Sequence, residues 1–167
     1  MRLKRIIPAA GFTLYLFMLI WLIIFKLDLQ IPVPPWLRTR SINLIPFSGS
    51  ALVNGGLDLK EPLYNFLAFV PLGLYLSILK LPEKPWLRIF AGFLLSIAFE
   101  TAQYAFAIGA TDITDLIMNT AGAAVGVLAF ELLFSKHRER AGTVISIILL
   151  TFQLLAIAGY GGLLALQ

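Results

Sequence analysis

The sequence has the composition of a membrane protein. Of its 167 residues, 59% are hydrophobic and 13% are charged, and the mean hydropathy is +0.89. Soluble domains average about 25% charged residues, so composition excludes an ordinary soluble domain. The chain contains no cysteine, which excludes disulfides and thiol chemistry. The formal charge of +4 comes without a basic face interleaved with aromatic residues, so we expect no nucleic-acid partner.

Apolar runs long enough to cross a bilayer occur five times along the chain. A helix needs about 20 apolar residues to cross the hydrocarbon core. The predicted spans are residues 6–26, 62–81, 86–108, 113–134 and 143–166. The first span follows basic residues as a secretory signal does, but it is too long for a signal core, and we interpret it as a retained helix. We therefore expect residues 1–167 to form one all-α membrane domain.

An outer loop, residues 27–61, separates the first two spans. Pro32, Pro34 and Pro35 predict a short extended segment, because proline fixes φ and removes a backbone donor. Residues 41–47 are too apolar for a simple linker. We expect them to fold back onto the membrane surface or to re-enter the membrane.

The positions of lysine and arginine predict the orientation of the bundle. Nine of them lie at the N-terminus and in the turns after spans two and four, and four are spread over the long loop. The link between spans three and four has none. Because basic residues concentrate in cytoplasmic loops, we expect a cytoplasmic N-terminus and an extracytoplasmic C-terminus.

Polar side chains gather at the predicted outer ends of spans two to four. An ionisable group inside a membrane costs roughly 2.5–3.5 kcal/mol on insertion scales, so it needs a partner or water. The short link between spans three and four makes these helices neighbours, so that their polar faces can meet. We predict one outward-facing pocket lined by Asn43, Asn65, Glu100, Gln103, Asp112, Asp115 and Asn119.

The polar face of span four continues inward with small residues. Gly122 and Gly126 follow Asn119 at helical steps and form a GxxxG pattern, which is typical of close helix packing in membranes. Gly73 lies on the face of span two that also carries Asn65. We expect these three glycines to serve helix packing.

Structural roles explain some of the polar residues equally well. Asp112 suits the N-cap of span four, where an acidic side chain also complements the helix dipole. Asn65 and Asn119 suit hydrogen bonds between helices. Capping does not account for Glu100, which is the strongest indication of a functional site.

Three chemistries fit three carboxylates with flanking amides. Glu100 and Asp115 could act as an acid–base pair, the oxygens could hold Ca²⁺ or Mg²⁺, or the cluster could bind the head of an amphipathic molecule. The sequence has no Ser-His-Asp or Cys-His set, no nucleotide loop and no His-rich metal motif. Binding is therefore favoured over catalysis, and we expect no cofactor and no dedicated metal site.

Four motifs, in order, resemble the VanZ-like family of bacterial membrane proteins. They are Asn43–Phe47 (NLIPF), Asn65–Gly73 (NFLAFVPLG), Ser96–Gln103 (SIAFETAQ) and Asp112–Gly122 (DITDLIMNTAG). The resemblance implies a multi-pass protein of the bacterial plasma membrane with a role in teicoplanin resistance or cell-envelope homeostasis. The partners that we expect are membrane lipids, and a lipoglycopeptide or a cell-wall lipid intermediate.

The sequence departs from the family pattern at one position beside the acidic pair. Ala110 stands where many relatives carry arginine. Arg38 or Arg40 from the outer loop could replace that charge.

Overall fold

The computed structural model describes residues 3–25, 41–47, 52–53, 56–57, 59–106 and 111–165. The helices are α1 Leu3–Phe25, α2 Lys60–Leu79, α3 Pro85–Phe106, α4 Ile113–Leu133 and α5 Arg138–Ala165. The strands are β1 Ile42–Asn43, β2 Leu52–Val53, β3 Gly56–Leu57 and β4 Thr111–Asp112. All five helices are long and apolar enough to cross a membrane, which confirms the predicted helical membrane bundle.

The start of α5 differs most from the predicted boundaries. A 3-10 turn, Ser135–His137, follows α4 and leads directly into α5 at Arg138 rather than at residue 143. The His137 amide donates to the Phe134 carbonyl at 3.0 Å within this turn. Arg138 and Arg140, which we expected in a turn, therefore belong to the first turn of a helix.

The tightest helix contact joins α2 and α4. Gly73, Gly122 and Gly126 all lie in it. A Cβ atom added to Gly73 would stand 2.1 Å from the Ala123 carbonyl oxygen, and one added to Gly126 would stand 2.1 Å from the Val70 carbonyl oxygen. The two backbones are therefore in direct contact, which only glycine allows at these positions.

The other helices pack around this pair. α3 packs mainly on α4, α1 packs on α2, and α5 packs mainly on α1. The buried apolar core is formed by Tyr15, Leu19, Ile23, Phe69, Leu72, Tyr75, Leu76, Phe99 and Ala123. Large side chains such as Phe17, Leu132 and Phe152 stay exposed on the outside of the bundle, where a membrane would bring them into contact with lipid.

Polar contacts distinguish the two ends of the bundle. At the end that we call the acidic end, the last turns of α1 and α3 meet the 41–47 segment and the start of α4. At the opposite end, the basic end, the last turns of α2 and α4 meet the first turns of α3 and α5.

We predict that Gly126→Ala destabilises the bundle by about 1–3 kcal/mol, the usual cost of overpacking a well-packed contact. The added methyl group would meet a backbone carbonyl, which cannot move aside as a flexible side chain can. Unfolding in detergent micelles measures the change. Gly159→Ala on α5 is the matched control, because nothing lies within 4 Å of its added Cβ. Equal stability of the two variants would contradict the prediction.

Candidate functional site

A short strand pair brings the 41–47 segment to the start of α4. β1 and β4 run parallel, with Asn43 opposite Asp112. The Asn43 side-chain amide donates to Asp112 Oδ2 at 3.1 Å, and its own Oδ1 accepts from the Ile45 amide at 3.2 Å. The Phe47 amide donates to Thr114 Oγ1 at 2.9 Å. Residues 41–47 are therefore fastened to the bundle by these two side-chain bonds and by the Thr111 amide, which donates to the Ser41 carbonyl at 3.0 Å.

Asp112 caps α4. Its backbone is extended, and its Oδ1 accepts from the Thr114 amide at 2.8 Å. This is the N-cap geometry that satisfies one of the free amides at a helix start. Helix capping is thus sufficient to explain Asp112. Its second carboxylate oxygen, Oδ2, also accepts a hydrogen bond from Asn43.

Glu100 has a structural contact that the sequence did not reveal. Its side chain is buried, with 6% exposure, and its Oε2 accepts from the Asp112 amide at 3.0 Å. Thr111 Oγ1 donates to the Glu100 carbonyl at 3.2 Å. Glu100 therefore has a structural contact in addition to its predicted place in the site, because this carboxylate supports the backbone immediately before α4.

Gln103 and Asn119 are buried amides with one free acceptor each. Gln103 Nε2 donates to the Ile23 carbonyl at the end of α1, at 2.9 Å. Asn119 Nδ2 donates to Ser96 Oγ at 3.0 Å and so joins α4 to α3. Within the described ranges, neither Gln103 Oε1 nor Asn119 Oδ1 has a hydrogen-bond partner. Both side chains are at least 98% buried.

Asp115 and Asn65 are the remaining predicted site residues. Asp115 is buried in the first turn of α4. Asn65 is half-buried on α2, and its side chain makes no hydrogen bond to any residue that the structure describes. Arg38, Arg40 and Ala110 lie outside the described residues.

Asn43, Asp112 and Glu100 therefore form one directly bonded cluster, which we call the acidic cluster. Asp115 lies in the first turn of α4, Gln103 links the end of α3 to α1, and Asn119 lies deeper between α3 and α4. In the described part of the chain, no group of three or more His, Cys, Asp or Glu side chains has the arrangement of a metal site.

Sequence reasoning missed an ionic network at the basic end. Arg88 is 1% exposed, and its Nη1 donates to Glu131 Oε1 at 2.6 Å. Arg138 Nη2 donates to both Glu131 oxygens, at 2.8 and 2.7 Å. The Arg138 guanidinium also lies 5.0 Å from the centre of the Phe130 ring.

The same network holds the turn between α2 and α3. Arg88 donates to the carbonyls of Pro82 and Glu83, and Arg138 donates to the Ser77 carbonyl near the end of α2. The sequence contains a signal for this ionic network. Glu131 is an ionisable residue inside an apolar span, and the reasoning applied to Glu100 identifies it equally well.

A protein-family model described as VanZ/LLP1 matches residues 12–134. The chain belongs to the VanZ/LLP1 family. Among its relatives, protein VanZ of Enterococcus faecium is 39% identical over 137 residues, which cover 81% of this chain and 80% of that protein. The family membership confirms the resemblance found in the sequence motifs. No solved structure matches the chain.

The residues that match the VanZ/LLP1 model include the polar residues described at both ends of the bundle, except those of α5. It includes all seven predicted site residues, together with Arg88 and Glu131 of the ionic network. It ends at Phe134, the residue that follows the last turn of α4. Arg138 of the ionic network and the whole of α5 therefore lie beyond the matched region.

We predict that Asp112→Ala destabilises the protein by about 0.5–2 kcal/mol, the usual cost of losing an N-cap. Asp112→Asn should cost less, because an asparagine oxygen still accepts from the Thr114 amide. Chemical unfolding in detergent ranks the two variants. A larger loss in Asp112→Asn than in Asp112→Ala would contradict the capping role.

We also predict that Glu131→Ala costs about 3–5 kcal/mol, because it leaves buried Arg88 without its carboxylate partner. The double variant Arg88→Met/Glu131→Leu should recover a measurable part of that loss, since no buried charge then remains unpaired at these positions. Glu139→Ala on exposed helix surface is the control and should change stability by less than about 1 kcal/mol. A double variant less stable than Glu131→Ala alone would contradict this explanation.

Proposed function

We propose that this VanZ/LLP1 protein binds the polar head of an amphipathic molecule at the acidic end of its bundle, and that this binding serves glycopeptide resistance or cell-envelope homeostasis. The occupant would be a membrane lipid, a cell-wall lipid intermediate or a lipoglycopeptide such as teicoplanin. Each combines a polar head with an apolar tail that can lie along the helices. Family membership supports the link to glycopeptide resistance.

The observation that carries the proposal is the acidic cluster itself. Asn43 comes from the outer loop, Glu100 from α3 and Asp112 from the start of α4, and direct hydrogen bonds join all three. Burial of such groups is costly in a membrane protein, and clusters of this kind commonly mark functional sites. A headgroup that enters between the loop and these helices would meet the whole cluster at once.

Two buried acceptors next to the cluster support binding further. Gln103 Oε1 and Asn119 Oδ1 lack partners among the described residues. Leaving a buried acceptor unsatisfied costs about 1–3 kcal/mol. Hydroxyl or amine groups donate hydrogen bonds, and both occur on lipid headgroups and on glycopeptides. Donors from such a guest would satisfy these oxygens.

The alternative is an intramembrane enzyme that acts on a cell-envelope lipid, with Glu100 and Asp115 as acid and base. Both carboxylates are buried, as such a pair requires. However, Glu100 Oε2 already accepts from the Asp112 amide, which ties this oxygen to backbone support. Binding is therefore the function that the geometry supports best.

We predict that teicoplanin and envelope lipids bind at least about tenfold more weakly to Glu100→Gln and to Asp115→Asn, because a hydrogen bond to a charged group is worth about 1.5–3 kcal/mol. Glutamine keeps an oxygen for the Asp112 amide, so Glu100→Gln should preserve the fold. Equilibrium binding to the purified protein in nanodiscs measures the change.

Two controls sharpen this experiment. Glu83→Gln removes an exposed charge from the α2–α3 turn at the opposite end and should bind as the unaltered protein does. Teicoplanin without its acyl chain should bind more weakly than the intact antibiotic if the tail contributes. Unchanged affinity in both Glu100→Gln and Asp115→Asn, with folding intact, would reject the proposal. Conversion of a lipid that is lost in both variants would favour the enzyme.

A further inference from the structure

The basic end has an open concavity at the turn between α4 and α5. Its volume is about 440 Å³, and it is lined by Ser135, Lys136, His137, Arg138, Glu139 and Arg140. It exists because α5 turns away from α4 immediately after the 3-10 turn and packs mainly on α1. The end of α4 and the start of α5 therefore leave an open space at the basic end.

The concavity and the network behind it carry an excess of positive charge. Four cationic side chains, Lys136, Arg138, Arg140 and Arg88, stand against two carboxylates, Glu131 and Glu139, which leaves an excess of two positive charges. Both oxygens of Glu131 are occupied by the two network arginines. Glu131 is therefore engaged elsewhere and does not neutralise Lys136 or Arg140, which are both exposed.

Exposed apolar side chains follow the charged turn along both helices. Leu132 and Leu133 end α4 with 78% and 72% exposure, and Val144 and Ile148 follow on α5 with 50% and 61%. Both pairs belong to segments suited to crossing a membrane. The positive end of the α5 dipole and the negative end of the α4 dipole meet at this turn, so the basic side chains supply the attraction for an anion. An anionic head at the turn would place its acyl tail along exposed apolar side chains of α4 or α5.

We propose that the basic end binds the phosphate headgroup of an anionic phospholipid. Lys136 and Arg140 contact the phosphate, and the exposed leucines of α4 and the apolar face of α5 contact the acyl chains. Basic pockets at helix ends bind acidic lipid headgroups in this way. The site is separate from the acidic cluster, which lies at the other end of the bundle, and it does not depend on the function proposed there.

The test uses phosphatidylglycerol titrated into the detergent-purified protein, with bound lipid counted by native mass spectrometry and phosphatidylcholine as the neutral reference. Lys136→Gln/Arg140→Gln should weaken phosphatidylglycerol binding by about 10- to 30-fold and leave phosphatidylcholine binding unchanged, as expected for two basic residues at a membrane surface. The charge-keeping variant Lys136→Arg/Arg140→Lys should bind within about threefold of the unaltered protein.

The matched control is Lys80→Gln/Lys84→Gln, which removes the same charge from the α2–α3 turn at the same end of the bundle. An equal loss in this control would overturn the proposal, because the effect would then reflect general surface charge. Unchanged binding in Lys136→Gln/Arg140→Gln would also overturn it, as would full displacement of the lipid by millimolar inorganic phosphate.

Discussion

The bundle depends on the direct backbone contact between α2 and α4. In a membrane, apolar side chains gain little by leaving lipid, so helices associate through close packing and polar contacts. Gly73, Gly122 and Gly126 supply the close packing. The contact brings α4 near enough for Asn119 to reach Ser96 of α3 on one side, while Tyr15 of α1 donates to the Ala68 carbonyl of α2 on the other.

Buried polar groups at both ends of the bundle need partners, and the two ends supply these partners differently. At the basic end, a carboxylate is bonded by two arginines, and these arginines bond the carbonyls at the end of α2 and in the turn that follows. Arg88, Arg138 and Glu131 are paired with one another, so these three residues serve the architecture. At the acidic end, carboxylates bond backbone amides, and two buried amide oxygens find no partner among the residues that the structure describes.

The sequence predicted much of this fold for clear physical reasons. Five apolar segments must be helices because lipid offers no partner to a free backbone group, and the glycine spacing pointed to close packing on α4. The β1–β4 pair was not predictable, because Ile42–Asn43 and Thr111–Asp112 are too short to show a strand pattern and lie far apart in sequence. The contact of Glu100 with the Asp112 amide crosses the link between α3 and α4, so its structural role could not be read from helical spacing. Glu131 was overlooked although an ionisable residue in an apolar span was already a signal.

The difference between the ends explains where a guest is expected to enter. A ligand gains little at a site whose charges are already paired, because it would have to break those pairs. At the basic end, the groups that we propose to meet a ligand are therefore exposed Lys136 and Arg140, which lie beside the ionic network. At the acidic end, a guest of the kind proposed would displace Asn43 from Asp112, and its own donors would replace that hydrogen bond. The 41–47 segment is joined to the bundle by side-chain bonds and one short strand pair. Movement of this segment would therefore open the acidic cluster at a lower cost than separating α2 from α4.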